Sequence, residues 1–172
     1  DFDAHTEEVI ALIPDLLNRH VSALVLFTSW RQLNAVISGL PKTLAEGLLV
    51  QGEGSKQALL QEHRQRIDEG KSSYLFGVAS FSEGLDLPGE YCRHVVIVKL
   101  PFSVPDDPVD QAIAEWAEAQ GRNAFYEISV PDASLRLVQA CGRLIRSEKD
   151  YGTISMLDKR IVTQRYGRAL IE

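Results

Sequence analysis

The chain of 172 residues predicts an α/β fold, a three-layer sandwich built on a mostly parallel sheet. Short, wholly apolar runs without polar alternation, such as Ala23-Leu24-Val25-Leu26-Phe27, read as strands buried on both faces. Segments of helical periodicity separate these runs, which is the alternation of a sheet covered on both sides. With 45% apolar residues, a chain of this length fills one core, so a single domain over residues 1–172 is expected.

Taken in order, Val9, Ile10, Ile13, Leu16 and Leu17 recur at helical spacing behind Thr6, which reads as the N-cap. The run at 23–27 is the first strand, and Ser29 to Leu40 is a helix that Pro41 stops. Leu48-Leu49-Val50 is a second strand. Ser55 to Asp68 forms a helix, with Ser55 as N-cap and Gly70 just past its end. The runs at 74–78 and 94–98 are two more strands, and a helix around Asp110 to Gln120 follows Pro105 and Pro108. Another helix begins near Pro131, the run at 153–157 is a fifth strand, and a last helix starts near Ile161.

Several function classes drop out. No run approaches the roughly 18 apolar residues needed to cross a bilayer, so no membrane partner is expected. The start has no secretory pattern. It opens Asp1-Phe2-Asp3 without Met, and the end, Ala169-Leu170-Ile171-Glu172, falls inside a helical pattern, so a piece of a longer protein is expected. Cys92 and Cys141 read as buried free thiols of a reducing cytoplasm. His5, His20, His63 and His94 are scattered, and no metal site is expected. A net charge of −6 argues against gripping nucleic acid through a bulk positive field. It leaves room for a narrow track of amides, hydroxyls and a few cations.

Function in such a fold collects in loops at the carboxyl ends of strands. Thr28-Ser29-Trp30, after the first strand, offers two hydroxyls and helix N-terminal amides to a phosphate. Trp30 either stacks on a base or packs locally, and Ser29 reads equally well as a plain helix cap. The stretch from Ala79 to Gly89 is long and irregular. Gly84 permits close backbone approach, and Glu83 and Asp86 can orient cations or ribose hydroxyls, unless the loop is a turn with acidic decoration. Gly52-Glu53-Gly54-Ser55-Lys56 invites a phosphate-loop reading but fails the pattern, since Ser55 stands where the lysine belongs. It reads as a turn ending in a cap.

The helix behind Pro131 carries the strongest signal. Arg136, Gln139, Arg143 and Arg146 fall within roughly an 80° arc, opposite Leu137, Cys141 and Leu144. Three guanidinium groups and an amide without an acid suit a polyphosphate; the plain alternative is a solvated basic face.

In order and spacing, these elements resemble the second motor domain of superfamily 2 DNA helicases, and within it the DinG/XPD-type branch. The stretches that carry the resemblance are Leu24-Val25-Leu26-Phe27-Thr28-Ser29 (motif IV), Ser80 to Gly89 (motif V) and Gln139 to Arg146 (motif VI). Lys99-Leu100-Pro101-Phe102, Pro105-Asp106-Asp107-Pro108, Tyr151-Gly152 and Asp158-Lys159-Arg160 fit its bacterial DinG-type members.

The resemblance implies a RecA-like helicase domain 2 working with 5′-to-3′ polarity. Arg143 and Arg146 would be arginine fingers to the γ-phosphate, with Gln139 near that phosphate or the attacking water. Glu83, Gly84 and Asp86 would couple nucleotide state to the DNA track, with Asp86 also able to pair with a motif VI arginine. Thr28, Ser29, Ser80 and Ser82 would touch the single-strand backbone. ATP with Mg2+ would be held mainly by a first motor domain of the same polypeptide, since this chain has no phosphate loop and no Asp-Glu-Ala-His box. The implied partners are single-stranded or forked DNA and that first domain. Any four-cysteine iron–sulfur cluster of the longer protein would lie outside the chain. The competing readings are a non-catalytic α/β docking or nucleic-acid-binding module with a helicase-like fold, and a free-standing mononucleotide-binding domain. The Gln139/Arg143/Arg146 set speaks against the first, and the missing phosphate loop against the second.

Overall fold

A computed structural model describes residues 2–78, 81, 85–99, 108–121, 131, 135 and 152–158. The elements run α1 (Phe2–Leu17), β1 (Ser22–Phe27), α2 (Trp30–Gly39), β2 (Leu48–Val50), α3 (Lys56–Asp68), β3 (Ser73–Val78), β4 (His94–Ile97), α4 (Pro108–Ala119) and β5 (Thr153–Met156), with short 3₁₀ turns at Lys42–Gly47 and Gly89–Tyr91. The five apolar runs all become strands. Pro131 and Leu135 are helical, where the arginine-bearing helix is predicted; its Arg136, Leu137, Cys141 and Leu144, and the segment behind Ile161, lie outside the described residues.

The strands pair in the order β2-β3-β1-β4-β5, all in parallel. In-register pairing of Phe27 with Val78, and of Leu26 with Ile97, brings the carboxyl ends of β1, β3 and β4 to one edge. The chain leaves β1 toward β2 and leaves β4 toward β5, in opposite directions. The crevice between β1 and β4 is therefore the topological switch point, where open α/β sheets receive ligands.

Alternate residues of each strand feed two cores. Ala23, Val25 and Phe27 of β1, with Tyr74 and Phe76 of β3, pack under Val9, Ile13 and Leu17 of α1 and Leu33 and Val36 of α2. Leu24, Leu26, Leu75, Val95 and Ile97 face the other way, against Leu59 of α3 and Phe81, Leu85 and Leu87 of the loop behind β3. Right-handed crossovers force this split, because α2 and α3 carry the chain across the sheet in opposite directions. The predicted three-layer sandwich is therefore the observed one.

One expectation is overturned. Thr6 is not the cap of α1, which begins four residues earlier at Phe2. The Thr6 hydroxyl instead accepts from Gln32 Nε2 at 3.3 Å, buried at the contact with α2. α1 also runs through Pro14, giving up the hydrogen bond its nitrogen would donate. Ser29 and Ser55 cap α2 and α3 as predicted, accepting from Gln32 N at 3.2 Å and Ala58 N at 3.1 Å.

Candidate functional site

At the carboxyl edge, β1 runs out into Thr28, which is exposed, and Ser29, which is half-buried. Ser29 Oγ is occupied as an acceptor by the cap, but a hydroxyl still has its proton to donate. Behind this turn lies Gln32, which is fully buried. Its amide donates to His5 Nδ1 at 2.9 Å, and His5 Nε2 lies 2.9 Å from the Leu157 carbonyl. A carbonyl only accepts, so His5 carries its proton on Nε2 and accepts through Nδ1. Gln32 and His5 thus tie the turn after β1 to α1 and to the end of β5. Sequence reasoning missed both, although Ser-x-x-Gln at a helix start is a capping-box signature; here the glutamine reaches α1 instead of the cap backbone.

The ends of β2 and β3 join the same edge. Gln51 N donates to Phe76 O at 2.8 Å, and Gln51 Oε1 accepts from Val78 N at 2.9 Å, prolonging the ladder with a side chain. Gly52 takes φ +97°, and a Cβ there would meet the Trp30 ring at 3.9 Å. Phe81 is buried against Gly77 of β3, where a Cβ would come within 2.7 Å of its ring. Trp30, Gln51, Gly52, Lys56, Leu59 and Phe81 border a cavity of about 330 Å³. The Gly52–Lys56 turn, not a phosphate loop, is therefore still part of the site, as a wall of this cavity.

Asp86 is positioned by its neighbours. Leu85 and Leu87 are fully buried and leave Asp86 exposed between them. Arg64 of α3 donates to the Asp86 carbonyl. Two further bonds from α3 hold the loop: His63 Nε2 donates to Tyr91 O at 2.6 Å, and the Tyr91 hydroxyl donates to Asp68 at 2.7 Å. Burial pushes the His63 pKa below its ordinary value.

Cations gather at the edge despite the acidic total. Arg31 lies 4.1 Å from the centre of the Phe2 ring and Lys99 5.6 Å from it, while Lys56 stands 5.7 Å from that of Phe81. Trp30 is thus brought together with Lys56 and Phe81, Thr28 and Ser29 directly precede it in the chain, and Asp86 is set against α3. Ser80, Ser82, Glu83, Gly84, Gln139, Arg143 and Arg146 lie outside the described residues. A larger cavity, about 880 Å³, opens near Asn18, Gly47 and Ser72 by the amino ends of the strands, away from this chemistry.

Cys92 is buried, its thiol donating to the His94 carbonyl at 3.9 Å, and burial pushes its pKa up to about 12. Two cysteines are too few for the chain to supply a four-thiolate iron–sulfur site by itself. Among the described residues, no three His, Cys, Asp or Glu side chains converge to hold a metal ion, and no helix is long and apolar enough to cross a membrane.

Comparison with known proteins identifies the family and the fold. A family model described as the helicase C-terminal domain matches residues 14–172. The ATP-dependent DNA helicase DinG of Photobacterium profundum is 46% identical over 173 residues, 99% of this chain and 25% of that protein. The DinG helicase of Escherichia coli (strain K12) is 39% identical over 154 residues, 90% of this chain and 21% of that protein. The chain therefore spans a quarter or less of these curated relatives. A solved XPD helicase shares the fold with TM-score 0.72 at 20% identity, over 96% of this chain and 30% of that one. With residues 14–172 matched, the chain belongs to the helicase C-terminal domain family.

Proposed function

We propose that the chain is the second motor domain of an ATP-dependent DNA helicase with 5′-to-3′ polarity, working in the cytoplasm. A first motor domain of the same polypeptide holds ATP with Mg2+, and this domain completes the nucleotide site and carries part of the DNA track. The observation that carries the reading is the family match over residues 14–172, joined to a carboxyl edge at which Trp30, next after Thr28 and Ser29, borders one cavity with Phe81 of the loop behind β3.

Phosphoryl transfer is accelerated mainly by positioning and by charge placed where oxyanion charge develops. Arg143 and Arg146 supply that charge to the γ-phosphate, and Gln139 orients the phosphate or the attacking water. Glu83, Gly84 and Asp86 relay nucleotide state to the DNA side; the buried leucines around Asp86 and the Arg64 contact give that relay a fixed base. Thr28, Ser29, Ser80 and Ser82 contact the backbone of single-stranded or forked DNA, which suits a motor that must hold DNA without reading its sequence.

The purified chain alone is expected to show no ATP turnover with or without single-stranded DNA, because it lacks the groups that grip Mg-ATP. Turnover that survives removal of contaminating ATPases overturns the assignment.

A further inference from the structure

We propose that Trp30 and Lys56 hold one nucleotide of the DNA strand, with the base stacked on the Trp30 indole and an adjoining phosphate at the Lys56 ammonium. The inference rests on the reading of the chain as a DNA-contacting motor domain, and it adds a base contact to a track described so far by backbone contacts.

Trp30 opens α2 directly after Thr28 and Ser29, and 46% of its surface is exposed. A lone exposed aromatic is ordinary on a protein surface. This one borders a cavity whose other described walls are Gln51, Gly52, Gly54, Lys56, Leu59 and Phe81. The cavity, about 330 Å³, lies at the low end of the roughly 300–1,000 Å³ of small-molecule sites, a volume suited to a single nucleotide. Its described walls combine an indole face, two apolar side chains and a cation, and among the described residues that line it none is acidic. That is the make-up of a single-strand binding platform, an aromatic face for a base and a positive charge for the backbone.

The local conformation keeps the site open. Gly52 has φ +97°, a region that side-chain-bearing residues rarely adopt, and it lies beneath the outer edge of the Trp30 ring. A larger residue would be strained there. Phe81, seated on Gly77, fixes the far wall, and Lys56 is drawn toward it at 5.7 Å from the ring centre. Stacking is tolerant of sequence because every base has a π-face, so a base contact here is compatible with a motor indifferent to sequence.

The test uses the full-length protein and two fluorescent oligonucleotides, oligodeoxythymidine and the same strand built from abasic residues, read by anisotropy. Trp30→Leu is expected to weaken oligodeoxythymidine binding by about 5- to 150-fold, the equivalent of roughly 1–3 kcal/mol of stacking, and to leave abasic binding unchanged. Trp30→Phe, which keeps a stacking face, should retain most of the affinity. Lys56→Met should weaken both strands and lower the slope of log affinity against log salt by roughly one ion. Equal loss on both strands with Trp30→Leu, or loss on neither, overturns the nucleotide site and leaves the motor-domain reading standing. Failure of the parental protein to bind either strand overturns both.

Discussion

Gly77 occupies a position in β3 where a Cβ would lie 2.7 Å from the Phe81 side chain. In the sequence it is simply one residue of the run at 74–78; the close approach becomes visible once Phe81 is folded back onto the sheet. Gly77→Ala is expected to destabilise the chain by about 1–3 kcal/mol, measured by urea unfolding. Because Phe81 is the obstacle, the double variant with Phe81→Ala should cost less than the two single costs added together. Strict additivity would mean that the contact does not limit the position. His63 makes a second prediction at this scale. It is buried with Ser73 on one nitrogen and the Tyr91 carbonyl on the other. Burial lowers its pKa from the ordinary 6.5, and that of His94 as well. The unfolded chain therefore takes up protons near pH 6.5 that the folded chain refuses. Stability should be full above that pH and fall as the pH drops below it. The urea midpoint should decline between about pH 7 and pH 5, and His63→Gln should flatten part of that decline. An unchanged slope in the variant would contradict the account.

The turn from β1 into α2 separates a structural hydroxyl from an available one. Ser29 caps α2 through Gln32 N, while Thr28 is exposed. Ser29→Ala should lower stability by roughly 0.5–2 kcal/mol in thermal or urea unfolding. Thr28→Val should leave unfolding unchanged and weaken single-strand DNA binding in the full-length protein. The reverse pattern would exchange the two roles. This element also shows what the sequence conveys and what it hides. The strands are legible because burial on both faces leaves bare apolar runs, and the caps of α2 and α3 because a serine precedes each of those two helical patterns. Thr6 misleads, since a threonine ahead of apolar periodicity looks like a cap whether or not its hydroxyl is committed to a neighbouring helix. Gln51, Gln32 and His5 are hidden for the same reason: their partners lie 27 residues away for Gln51 and for the Gln32–His5 pair, and 152 away for His5–Leu157. Local pattern carries no record of such distances.

For the whole molecule, the strand order turns a list of loops into a site. Order β2-β3-β1-β4-β5 is not written in any single run, yet it sets Thr28, Gly52 and Phe81 at one edge and makes the β1/β4 crevice the switch point. It also makes a net charge of −6 compatible with the proposed DNA partner, because Arg31, Lys56 and Lys99 collect at that edge. The account gives the domain half of a nucleotide site, with the other half brought by a first motor domain. Its most direct test is DNA-stimulated ATP hydrolysis by the full-length protein carrying Arg143→Ala, measured beside equilibrium ATP binding. The account predicts a fall in turnover of about 10³–10⁵-fold with ATP binding largely spared. Turnover near the parental rate would contradict it.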